Sequence, residues 1–253
     1  MATDSEMSTS FGRAAGLYEQ GRPDYPSDAV AWLLDPARRP GRSVRVADVG
    51  AGTGKLTRVL VDAGAETVAV DPDAAMLATL RESVAGVPTF VGTAERLPLP
   101  DAALDAVVLG QAWHWVEPVA ASAEIGRVLR PGGVLGTIWN IRDESVPWIA
   151  RLTEIMHGSN AERLLQGGDP PLAAPFERWE SRRWQWERPV TRNVLTAMVH
   201  SRSHLITADH AERTRVDSEI SVLFDEIGAV GDAVVGLPYV TKAFRVVAGD
   251  PAT

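Results

Sequence analysis

The sequence predicts an α/β fold, a mostly parallel sheet with helices on both faces. Three observations carry this. Short apolar segments alternate with helical ones from about residue 44 to residue 140. Those segments are continuously apolar, as in "VRVADV" and "TVAVD", which is the pattern of strands covered on both faces. The chain has 253 residues, 45% of them hydrophobic, enough to build one large domain around a real core.

The elements follow in order. Residues 1 to about 10 are small and polar and are expected to fray. Ser27, after Pro26, is expected to cap a helix "SDAVAWLLDPA". "RRPGRSVRVADVG" is a basic turn entering the first strand at about 44 to 49. "KLTRVLVDAGA" is a helix stopped by Gly64, and "TVAVD" is the second strand. "PDAAMLATLRESVAG" is a helix with Pro72 in its first turn, followed by the strand "VPTFVGTA". "LDAVVLGQ" is the fourth strand, and "EPVAASAEIGRVLRPGG" a helix stopped by Pro131 and two glycines. "VLGTIWN" is the fifth strand. Beyond Asn140 the pattern changes: a helix "VPWIARLTEIMHGS", a loop "GGDPPLAAP", a strand "WESRRWQWERPVT", two helices "NVLTAMVHSRSHL" and "AERTRVDSEISVLFDEIG", and a last strand "LPYVTKAFRVVAG". The two late strands, separated by helices, fit an antiparallel edge on a parallel sheet.

Charge and composition narrow the function. A net charge of -8 repels phosphate backbones and anionic membranes, so neither nucleic acid nor a membrane is an expected partner. With no cysteine there is no disulfide, thiol nucleophile or thiolate metal site. The first residues lack an apolar signal region and no apolar run is long enough to span a bilayer. A cytoplasmic protein, monomer or homodimer, is the expectation.

The stretch "VADVGAGTGKLT" has three candidate ligands: a nucleoside triphosphate, a dinucleotide or S-adenosylmethionine (SAM). A triphosphate loop needs G-x-x-x-x-G-K followed by Ser or Thr. Here Gly50 and Gly54 stand one residue too close, and Leu56 follows Lys55. A dinucleotide fingerprint is G-x-G-x-x-G. Here Gly50, Gly52 and Gly54 place the last glycine one position early. Asp48, just before them, would oppose a pyrophosphate. It would help SAM, which carries a sulfonium and an ammonium. Asp71, ending the second strand, suits ribose hydroxyls.

The ordered set "VADVGAGTGKLT", "VAVDPDAAML", "GTAERLPLPDAALDAVVLGQAWHWV" and "IGRVLRPGGVLGTIWN" resembles a class I SAM-dependent methyltransferase over residues 44 to 140. "YEQGRPDYP" and "QAWHW" resemble the small-molecule subgroup that includes trans-aconitate methyltransferase. The resemblance implies a Rossmann-like, seven-stranded, mostly parallel sheet whose last strand is antiparallel, with a helical lid insertion. It implies one domain over 11–253: lid helices in 11–43, a SAM-binding core in 44–140, and substrate-side helices and C-terminal strands in 141–253. It implies that Gly50, Ala51, Gly52, Thr53 and Gly54 pass under the methionine moiety, and that Asp48 orients its ammonium. Asp71 takes the ribose, Pro72 and Met76 border the adenine, and Thr93, Ala94 and Glu95 frame its edge. Gln111 lies by the sulfonium. Tyr18 and Arg22 fold over as a lid. The implied reaction is methyl transfer to a small molecule, O-methylation of a carboxylate or a hydroxyl.

Plainer readings stand beside these. Asp48 can serve as a cap, and Arg22 as a surface arginine. His114 is either a base or donor for the acceptor, or a packing residue that shapes the pocket. Trp113 and Trp115 either line the acceptor pocket or belong to the core. His200 and His204 share a helix face, but no third metal ligand accompanies them, so no metal is expected. Arg182, Arg183 and Arg188, interleaved with Trp179, Trp184 and Trp186, either meet an anionic acceptor or form a strand's outer face. Two other functions are compatible with a glycine loop: a regulatory module that binds SAM or its product, and a nicotinamide oxidoreductase. The misplaced glycine weighs against the latter.

Overall fold

A computed structural model of the chain describes residues 23–158, 160–201, 205 and 208–249. Tyr18, Arg22 and His204 lie outside them. The chain divides into two compact units. The first contains Asp24–Trp139, Leu164–Trp184 and residues 241–249; the second contains Asn140–Arg163 and Gln185–Val240.

The sheet has seven strands: β1 (Arg45–Val49), β2 (Glu66–Asp71), β3 (Thr89–Val91), β4 (Leu104–Gly110), β5 (Leu129–Arg142), β6 (Glu180–Val190) and β7 (Val235–Val247). Their order is β3-β2-β1-β4-β5-β7-β6. β1 to β5 pair in parallel, and the last strands are antiparallel. The order reverses beside β1, where the chain turns from building one way to the other. Doubly wound sheets bind ligands outside the carboxyl ends of the strands at that point. The register brings the relevant ends level: Asp48 sits beside Ala69 and Val108, Asp71 beside Val91, and Gly110 beside Ile138.

In the first unit, helix α1 (Ser27–Leu34) buries Ala29, Val30, Leu33 and Leu34 in one cluster with Val46, Val108, Ile138 and Ala243. This part of the expected lid segment therefore contributes to the core. Ser27 is the first helical residue, not its cap, because Pro26 already holds the extended geometry that precedes a helix. Helix α2 (Lys55–Asp62) carries Leu56, Thr57 and Leu60 inward and gives way to Gly64 at φ +80°. Helix α3 (Ala74–Ser83) starts two residues after Pro72. The Asp73 carboxylate accepts from the Ala75 and Met76 amides and so fixes the start.

Helix α4 (Pro118–Val128) ends before "LRPGG", which the sequence had suggested as its stop. Leu129 and Arg130 already belong to β5. Pro131 forces the preceding residue into an extended conformation, so the helix must end earlier. The freed Arg127 and Val128 carbonyls accept from the Ala102 and Ala103 amides. β3 is shorter and more exposed than "VPTFVGTA" implies: Val91 is 62% exposed, as suits a sheet edge.

The second unit holds α5 (Pro147–Met156), the first four residues of α6 (Asn160–Gln166), α7 (Arg192–His200) and α8 (His210–Glu226). α6 falls in a stretch the sequence leaves as irregular. Ile149, Leu152, Leu195, Val216, Ile220, Phe224 and Tyr239 form this unit's core. A buried ion pair lies here. Arg142 donates to Glu162 Oε1 at 2.7 Å and to Thr153 Oγ1 at 3.1 Å, with side chains 5% and 9% exposed. His200 Nε2 meets Asp217 Oδ1 at 2.7 Å in solvent, an ordinary surface contact. Among the described residues no acid and histidine cluster could hold a metal ion, and no helix is long and apolar enough to cross a membrane.

Candidate active site

The glycine loop leaves β1 through three left-handed positions: Gly50 at φ +70°, Gly52 at +56° and Gly54 at +93°. The Gly50 and Ala51 amides donate to the Val70 carbonyl, which ties the loop to β2. A Cβ on Gly50 would stand 2.6 Å from that of Ala112, and one on Gly54 would stand 2.8 Å from Leu80. A Cβ on Gly52 would meet nothing within 4 Å among the described residues. Two glycines thus serve close packing, while the middle one leaves backbone uncovered. Gly50→Ala should cost at least about 2 kcal/mol in denaturant titration, from backbone strain and overpacking together. Gly52→Ala should cost about 1 kcal/mol, from its φ alone.

Two carboxylates flank the loop. Asp48 is fully buried and accepts from Thr57 Oγ1 at 2.6 Å through Oδ2. Its Oδ1 has no hydrogen-bond partner among the described residues. Burial, aided by the nearby Asp71 charge and opposed by the Thr57 hydroxyl, raises its pKa to about 7. Asp71 accepts from the Gly52 amide and from the Asp73 amide, each at 2.8 Å. Its pKa is also raised by burial, against the pull of those two amides. Asp71 therefore does more than the sequence indicates: it pins the middle glycine. Each of its oxygens retains a further lone pair for a ligand hydroxyl.

The remaining positions gather at the same end of the sheet. Met76 is buried in the first turn of α3 and Pro72 is exposed. Thr93 and Arg96 exchange backbone hydrogen bonds at 3.3 and 3.1 Å, so Ala94 and Glu95 form the tip of a tight turn. Ala94 is buried, while the Glu95 carboxylate accepts from the Glu117 amide at the start of α4. Thr53 is buried, and its carbonyl accepts from Ser83 Oγ. Gln111, at φ +56°, donates its amide to Ile138. A non-glycine residue in that region is strained and needs its surroundings to hold it.

A one-turn 3-10 helix over Trp113–Trp115 follows. Trp113 is 1% exposed, donates to the Pro171 carbonyl at 2.9 Å and meets Trp179 edge-on. Of its two expected roles, packing describes its surroundings. His114 and Trp115 are half-buried, with ring centroids 4.8 Å apart. His114 Nδ1 accepts a long hydrogen bond, 3.4 Å, from Trp139 Nε1. In the neutral ring that places the proton on Nε2.

A family model described as "Methyltransferase domain" matches residues 47–137. A protein of Mycobacterium tuberculosis described as an uncharacterized methyltransferase is 43% identical over 246 residues, spanning 95% of this chain and 96% of its own. The chain belongs to the SAM-dependent methyltransferases. The methyltransferase also matches a malonyl-[acyl-carrier protein] O-methyltransferase of Pectobacterium atrosepticum, 35% identical over 131 residues and covering 51% of each chain. Its fold is that of a type II methyltransferase candidate from Anaeromyxobacter dehalogenans, with TM-score 0.66 and 22% identity over 90% of this chain and 97% of that one.

The residues of the loop fit the donor. A buried carboxylate oxygen with no partner among the described residues, Asp48 Oδ1, suits an ammonium and would repel a pyrophosphate. The uncovered backbone at Gly52 allows close approach. Sequence reasoning missed Thr57 and Trp139. Thr57 sits in the first turn of α2, nine residues from its partner, and Trp139 lies in an ordinary apolar strand. Neither carries a motif of its own.

Proposed function

We propose that this methyltransferase O-methylates a small acceptor that is already ionised, a carboxylate rather than a hydroxyl. The observation that carries this is the Trp139 to His114 hydrogen bond. It leaves Nε2 as the protonated nitrogen, so the imidazole offers a donor and not a base. A carboxylate acceptor needs no base, since it is ionised at neutral pH. The O-methyl transfer named for the Pectobacterium relative supports the same chemistry. So does the resemblance of "QAWHW" to the trans-aconitate methyltransferase subgroup.

In this reading the backbone of Gly50 to Gly54 runs under the methionine moiety and Asp48 faces its ammonium. Asp71 takes the ribose hydroxyls, and Pro72 and Met76 flank the adenine. Thr93, Ala94 and Glu95 bound its edge through backbone and the Ala94 methyl, since the Glu95 carboxylate is held at Glu117. Gln111 borders the sulfonium, and Trp115 and His114 border the acceptor. Bound SAM supplies an electrophilic methyl: an acceptor oxygen lone pair forms the new C–O bond, and the S–C pair remains on sulfur. The protein's contribution is alignment, which can supply about 7–11 kcal/mol.

Release of S-adenosylhomocysteine against a panel of carboxylic acids and phenols tests the reading. Turnover of acids but not of phenols is expected; the reverse preference, or none, would sink it. His114→Ala should lower turnover of an acid by less than about tenfold with SAM affinity intact, as loss of one neutral donor does. A fall of a hundredfold or more would mark His114 as a base.

A further inference from the structure

We propose that Lys242 and Arg183 receive an anionic group, carboxylate or phosphate, on the methyl acceptor. The inference rests on the methyl-transfer reading and names the part of the site that selects the acceptor. It begins from strand register. The Ala248 amide donates to the Gly133 carbonyl at 2.8 Å, and the Asp143 amide to the Pro238 carbonyl at 3.1 Å. Both bonds belong to one antiparallel register of β5 with β7. In that register Trp139 stands opposite Lys242. Phe244, two residues on from Lys242, packs edge-on against Trp139 at 5.8 Å, so Trp139 and Lys242 share a face. The next pairing is set by Arg245 with Glu180, 2.8 Å apart, and by the stack of Tyr239 on Trp186, 5.1 Å between centroids. It places Arg183 of β6 beside Lys242 on that same face.

His114, Trp139, Lys242 and Arg183 therefore form a row across the sheet. The row lies at the carboxyl end, since Gly110 closes β4 beside Ile138. It starts at the imidazole already assigned to the acceptor and ends in two cations. Neither cation has a carboxylate within ion-pair distance among the described residues, in a chain with 33 acids and 25 bases. Neighbouring arginines are engaged: Arg245 pairs with Glu180, and Arg182 lies over the Trp184 ring at 5.2 Å. Lys242 is half-buried, and its ammonium is held below the usual lysine range, first by burial and then by the Arg183 charge. Like charges side by side on neighbouring strands are unfavourable by themselves. An arriving anion reverses that cost at both residues. It also leaves a second group of the acceptor free to lie toward His114.

The test uses succinate, citrate, glycerol 3-phosphate and neutral catechol as acceptors. Turnover is read with wild type, Lys242→Met, Lys242→Arg and Arg183→Gln, beside calorimetry with S-adenosylhomocysteine. For the best anionic acceptor, Lys242→Met should raise KM at least about tenfold, as loss of a charge-assisted hydrogen bond does. kcat and S-adenosylhomocysteine affinity should stay within about threefold, and Lys242→Arg should recover most of the KM. Arg183→Gln should act in the same direction, more weakly because it is more exposed. Preference among the acids and the phosphate ester tells carboxylate from phosphate. Preference for catechol, or an unchanged KM in Lys242→Met, with S-adenosylhomocysteine still bound, overturns the inference and leaves the donor site standing. Failure of wild type to bind S-adenosylhomocysteine instead removes the methyl-transfer reading, and the inference with it.

Discussion

Asp48→Asn should weaken SAM binding by about tenfold to a hundredfold, the range for losing a charged hydrogen-bond partner. At neutral pH and above the same substitution should stabilise the free protein. The reasoning starts from burial. The carboxylate is fully enclosed, and among the described residues one oxygen accepts from Thr57 while the other has no hydrogen-bond donor. The folded state therefore favours the protonated acid, with a pKa raised from 3.8 to about 7. A carboxyl whose folded pKa lies above its unfolded value contributes stability in full below the unfolded value. That contribution is lost as pH rises through the folded one. Between about pH 4 and about pH 8 the free protein should lose stability on the order of 4 kcal/mol from this group. Asparagine removes that loss, because it does not ionise. Denaturant titrations of both proteins across that range check it, and parallel pH profiles would refute it.

The same linkage runs through the donor. A cation beside Asp48 favours the ionised form, so binding releases a proton below about pH 7. SAM affinity should rise with pH, approaching tenfold per unit, and level off above about pH 7. In Asp48→Asn this dependence should flatten. Calorimetry in buffers of different ionisation enthalpy reads the proton directly.

Glu162→Ala should destabilise the unit built on α5 to α8 by about 3–5 kcal/mol, because it strands a buried guanidinium. Arg142 is nearly enclosed, and among the described residues its Nε has no hydrogen-bond partner while its terminal nitrogen donates to Glu162 and Thr153. Removing Arg142 as well should restore most of the loss. Arg142→Met with Glu162→Leu trades a charged pair for apolar contacts of similar volume, which is often neutral or better. The double-mutant cycle separates the cost of an orphaned charge from the worth of the pair. Equal losses in single and double variants would show that Glu162 acts through packing alone.

The turn after the first strand is legible in the sequence because its signals are local. Glycines at 50, 52 and 54 are demanded by backbone angles that other residues resist, so their spacing reports the turn directly. Asp71 ends a strand whose apolar run marks its own boundary. α4 ends two residues before the stop that Pro131 suggests, because "LRPGG" looks like a helix stop and is the start of a strand. Helix α6 was missed since seven residues give too short a period to recognise.

The sequence by itself determined the alternation of elements, the sheet's class and the tight glycine turn after the first strand. Each of these depends on a few neighbouring residues, and short-range sterics and periodicity decide them. Tertiary structure alone decided that Asp48 is enclosed, that Asp71 clamps Gly52, and that Trp139 reaches the His114 ring. It alone brought Lys242 and Arg183 side by side from strands far apart in the chain. Burial and cross-strand register depend on which distant segments meet, and a linear pattern carries no record of that.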